Sequence, residues 1–168
     1  MAKTPTMQPV SADTTHVVSP ETPGHGSLRH PLMVALISLE LVLLALQFVL
    51  GMFVNLFVTL PSPVFGMYGM MALMFNPGMP ALMGHMMIGM LLGGFAILTF
   101  AGSTVTRNRL LIATTGGTFA SVVVAGISGM EFLFSGQNNA FSYGMSVGFL
   151  LAFTLAFLSL LVAWGRAR

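Results

Sequence analysis

The chain has 168 residues, 55% of them hydrophobic and only 6% charged, with a mean hydropathy of +0.90. A soluble domain carries about 25% charged residues and a disordered chain is poor in apolar ones, so the composition excludes both and points to an integral membrane protein. With no cysteine there is no disulfide, thiolate metal site or thiol nucleophile, and the net charge of +2 rests on six cations whose placement speaks of membrane orientation and not of nucleic acid.

Residues 1–29 hold four of the nine prolines, interspersed with Thr, Ser and scattered charge, and lack apolar periodicity. Such a segment buries too little to offset chain entropy, which predicts a disordered cytoplasmic tail. No apolar core follows Lys3 closely enough for a secretory signal. His16, His25 and His30 belong to this solvated region.

Residues 30–168 read as an all-α, integral membrane four-helix bundle. Four apolar runs, about 31–57, 80–101, 110–130 and 141–164, each exceed the ~18 residues that cross a bilayer as a helix. In lipid every backbone amide must be satisfied within its own segment, so the runs are predicted as helices. Pro31 and Pro80 stand at tolerated first-turn positions. Lys3, Arg29, Arg107, Arg109, Arg166 and Arg168 are the only Lys and Arg, and they fall before the first run, between the second and third, and after the fourth. By the positive-inside rule both termini are cytoplasmic in a plasma-membrane protein, with Trp164 as an interfacial anchor. The apolar stretch from Asn55 to Pro80, broken by Pro61, Pro63 and Pro77, is expected as a loop lying on the outer membrane surface or over the bundle mouth.

Polar residues inside a span are costly and so mark candidate functional positions. Glu40 lies nine residues into the first run, ~13 Å deep and near the bilayer centre. It is expected to face the bundle as a neutral carboxyl bonded to a neighbouring helix, at a hydroxyl such as Ser128 or Thr114, with a part in proton relay as the other reading. Gln47 follows on the same face and Asn55 lies close to it near the outer end. His85 lies just inside the second run, where ligand binding or proton handling competes with a simple interfacial hydrogen bond. Glu131, the one acid on the outer side, is placed to orient His85 across the bundle mouth or to remain solvated.

The two halves echo each other as a pair of pseudo-repeated helical hairpins. LQFVLGMFVNLF in the first run aligns Gly51 with Gly126 of SVVVAGISGMEFLF, and His85, Gly89 and Gly93 share a spacing with Gly144, Gly148 and Ala152. Small residues four apart make a flat helix face, suited to close helix packing or to a flat tetrapyrrole held by His85. On Gln47 and Gly51, on Ser135 and Gly136 after the third run, and on His85, the chain resembles one four-helix half of heme A synthase. It resembles still more the small four-helix bacterial membrane proteins with an LQF-LG-VNLFV element, here Leu46 to Val58, and a G-xxFL element, here Gly129, Phe132 and Leu133.

The resemblance implies a haem b site with His85 as axial ligand, Gly89 and Gly93 clearing the ring, and Glu131 tuning the mouth. Gly144 stands where the fourth run of such a half has its second histidine, so Met145 beside it, or a second chain in a homodimer, is left to complete the coordination. No acid adjoins His85 in the outer loop, so oxidation of a farnesylated haem does not follow. Nine of the 15 methionines lie from Met67 to Met90, with Met79, Met83, Met86 and Met90 on one stripe, which raises Cu(I) handling as a further reading. Walker A, G-x-S-x-G, H-E-x-x-H and C-x-x-C-H are all missing from the sequence. The expected function is therefore haem-binding or redox-associated. Its alternative is a non-catalytic accessory subunit of a larger, respiratory-type membrane complex.

Overall fold

The computed structural model describes residues 29–59 and 67–165, and all the regular structure there is helical. In chain order the helices are α1 (Arg29–Phe57), α2 (Met67–Met74), α3 (Met79–Val105), α4 (Arg109–Phe134) and α5 (Asn139–Trp164). All but α2 are long and apolar enough to cross a membrane. The expected tail lies outside the described residues except for Arg29, which opens α1.

The four long helices match the four apolar runs but extend past them, because capping groups lie outside the apolar stretches. Asn108 caps α4 by accepting from the Leu110 N–H at 3.2 Å, and Asn138 caps α5 by accepting from the Ala140 N–H at 2.9 Å. At the other end of α4, Gly136 takes φ 72° and the Gln137 N–H reaches back to the Phe132 carbonyl at 2.9 Å. That closes the helix as a Schellman turn, for which a residue without a side chain is favoured. The short α2 lies inside the segment expected to be a loop. Between the prolines at 63 and 77 the sequence MYGMMALM is rich in good helix formers, and proline spacing had masked it. Asn76 then ties the turn together, donating to the Thr59 carbonyl at 2.6 Å and accepting from the Gly78 N–H at 2.8 Å.

The four long helices pack in chain order, α1 against α3, α3 against α4 and α4 against α5, and α1 closes the ring against α5. The register is antiparallel throughout: Met33 meets Gly102 while Gln47 meets Gly89, Thr114 meets Ser159 while Gly129 meets Met145, and Phe48 stacks on Phe149. The start of α1, the α3–α4 turn with Arg107 and Arg109, and the end of α5 therefore share one end of the bundle, called here the basic end.

The core is layered along the bundle axis. Nearest the basic end is an apolar layer of Met33, Ile37, Leu111 and Ala163. A second apolar layer, farther along, is Leu44, Leu92, Ala152 and Ala156. Between them on each helix lie polar residues: Glu40 on α1, Thr99 and Ser103 on α3, Thr114, Thr115 and Thr118 on α4, and Ser159 on α5, all buried. Large apolar side chains, among them Val42, Phe57, Met90 and Leu150, point outward instead. Between hydrocarbon and hydrocarbon there is no water to expel, so helices associate through close approach of small residues and interhelical hydrogen bonds. Both occur here. A Cβ on Gly148 would lie 3.0 Å from that of Ala125 and 3.1 Å from the Ser121 carbonyl oxygen, and Thr115 bonds Ser103 at 2.8 Å.

Candidate functional site

The interface between α1 and α3 gathers three of the polar residues that the sequence singled out, Glu40, Gln47 and His85. Gln47 on α1 and His85 on α3 face each other, with Gln47 Nε2 3.3 Å from His85 Nε2. Two glycines make room for them. A Cβ at Gly51 would lie 3.0 Å from His85 Cε1, and one at Gly89 would lie 3.0 Å from Gln47 Nε2. The imidazole is thus laid against α1 where that helix has no side chain, and the amide against α3 where that helix has none.

The pair is incomplete. Gln47 Oε1 and His85 Nδ1 are both buried without a hydrogen-bond partner. As drawn, the amide donates to Nε2, which leaves an Nδ1–H donor and the Oε1 acceptor over. Exchanging the amide oxygen and nitrogen reverses the roles and leaves the same remainder, one donor and one acceptor. Every unpaired buried polar group costs about 1–3 kcal/mol, so a pair retained in this state is a functional candidate.

Glu40 lies two helical turns below Gln47 on the same face of α1, in the polar layer. It is 2% exposed, its hydrogen-bonding neighbour is the Thr99 hydroxyl, and its Oε1 has no partner. Of the partners expected from sequence, Ser128 lies against α5 and Thr114 bonds Ser159. A Cβ at Gly144 would lie 2.9 Å from Ser128 Oγ, and Thr114 meets Ser159 at 2.8 Å. The missed signal was the register of α1 against α3, which brings Thr99 level with Glu40 and which hydropathy does not encode.

The other candidates lie apart from this seam. Met145 packs on α4, its Sδ 3.1 Å from where a Gly129 Cβ would be, whereas His85 faces α1. The helices that carry them, α3 and α5, are not packing neighbours. Among the described residues no group of three or more His, Cys, Asp or Glu could hold a metal ion. The space over Gly89 is filled by Gln47, while the Cβ position of Gly93 is open. His85 and Met145 thus face different helices, and the space over Gly89 that a flat ring would need is taken by Gln47. Glu131 is exposed near the end of α4, and Asn55 is exposed near the end of α1. Met83, Met86 and Met90 are exposed on the outer face of α3, as lipid-facing apolar residues are. Comparison of the chain with protein-family models, with curated proteins and with solved structures finds no match.

Proposed function

We propose that the chain is a multi-pass membrane protein with both termini on the cytoplasmic side, and that it handles protons in the bilayer interior as an accessory component and not as an enzyme. The cations support this orientation, since Arg107 and Arg109 lie at the basic end, where α1 begins and α5 finishes. One observation carries the functional reading. Glu40 Oε1, Gln47 Oε1 and His85 Nδ1, three buried polar atoms without partners, lie on a single seam between α1 and α3. Ionisable groups inside a span are expensive, and a carboxyl and an imidazole aligned on one helix interface are the parts of a proton relay.

The expected result is proton entry into proteoliposomes. With a potassium diffusion potential as driving force and a trapped pH dye as reporter, vesicles with the protein acidify faster than empty ones. E40Q returns the rate to the empty-vesicle level and H85L lowers it several-fold. Wild-type vesicles indistinguishable from empty ones would overturn the proposal. The separation of His85 from Met145 gives a second expectation. The protein purified in mild detergent shows no Soret absorption, and near-stoichiometric haem lost in His85→Ala would restore the haem reading, with a second ligand from another chain.

A further inference from the structure

We propose that the polar layer around Glu40 is a small-cation site whose occupant is a proton, so that Glu40 stands in the bilayer interior as a neutral carboxylic acid that donates a hydrogen bond. The reason lies in where the hydroxyl hydrogens of the layer go. Thr99 donates to the Phe95 carbonyl at 2.9 Å, Thr114 to Leu110 at 3.0 Å, Thr118 to Thr114 at 3.0 Å and Ser159 to Leu155 at 2.8 Å. Thr115 and Ser103 likewise reach the carbonyls of Leu111 and Phe100. Thr99 and Thr118 turn their hydrogens to their own helices, and in the Thr115–Ser103 and Ser159–Thr114 pairs one hydrogen is used between the two hydroxyls, so each of these hydrogens has an acceptor other than Glu40.

An ionised carboxylate is acceptor-only and, when buried, takes two or three donors. Here Glu40 has no donor at Oε1, and the hydroxyl beside it, that of Thr99, has its hydrogen engaged with the Phe95 carbonyl. Freeing Thr99 from that carbonyl supplies a single donor, too few for a charge between two apolar layers. A protonated carboxyl reverses the mismatch, because its O–H can donate to Thr99 Oγ1. Among the described residues no other ionisable side chain shares the layer. On the helices packed against α1, the ionisable side chains described are His85 on α3, ~21 Å along that helix from Thr99, and Tyr143 at the far end of α5. On α4 they are Arg109 and Glu131, at its two ends.

The occupancy stands on the chemistry of the layer and depends on the seam reading only for its use. A failed flux measurement therefore leaves it intact. Its test is infrared spectroscopy of the protein in lipid at neutral pH. Wild type is expected to show the C=O stretch of a protonated carboxyl that shifts in D2O, and E40Q to lack it. E131Q, altered at an exposed acid, keeps the band, so the assignment does not hang on one variant. Replacing potassium by sodium leaves it unchanged. Carboxylate bands alone in the wild type would overturn the proposal. Loss of the protonated band on adding sodium would overturn the proton as occupant in favour of that ion.

Discussion

Gly148→Leu keeps the α4–α5 hairpin from closing. A Cβ at this position meets Ala125 Cβ at 3.0 Å, its backbone nitrogen at 3.1 Å and the Ser121 carbonyl oxygen at 3.1 Å. Two of these three atoms are backbone, so relief requires α4 to move as a body. Overpacking a core against side chains costs about 1–3 kcal/mol, and against a helix backbone the upper end or more. Gly93→Leu is the matched control. It adds the same side chain to a spanning helix, at a position where nothing lies within 4 Å. Unfolding in mixed detergent micelles, followed by helicity, is expected to start at markedly lower denaturing detergent for G148L and to be unchanged for G93L. Equal behaviour of the two would contradict the packing described.

Leu44→Ala opens the barrier between the two polar regions. Leu44 is 1% exposed and fills the layer that separates Glu40 from the Gln47–His85 pair, beside Leu92, Ala152 and Ala156. The alanines are too short to reach into the space left, so a cavity persists. In lipid the transfer part of a Leu→Ala change largely vanishes, and the cavity part leaves a cost of about 2 kcal/mol, at the low end of the range for buried leucines. The functional effect is larger than the structural one. With orphaned polar atoms on both sides, the cavity has the partners that water needs. Proton flux is expected to rise several-fold above wild type, while the double variant with E40Q falls to the empty-vesicle level. L44A with unchanged or lower flux would mean that this layer is not a barrier.

The four long apolar helices were legible because hydropathy alone demands them, and Asn108 and Asn138 fix where two of them, α4 and α5, begin. α2 was not legible, since Pro61, Pro63 and Pro77, with Gly69 inside it, outweigh its six good helix formers in a reading of composition. Glu40 and Gln47 were placed on one inward face by their spacing of seven, and both face the core or its edge. The pairing of Gln47 with His85, and of Glu40 with Thr99, needed the relative register of α1 and α3, a tertiary quantity. The glycine stripes show the same limit. Gly89 and Gly148 occupy equivalent spacings, yet one accommodates an amide side chain and the other a helix backbone. Sequence shows that a small residue is required and not what presses against it.

The claim that the α1–α3 seam carries protons is tested most directly by ranking initial proton fluxes in identically prepared proteoliposomes of wild type, E40Q and L44A. The account predicts E40Q at the level of empty vesicles, wild type above it and L44A highest. Equal fluxes for all three would contradict it.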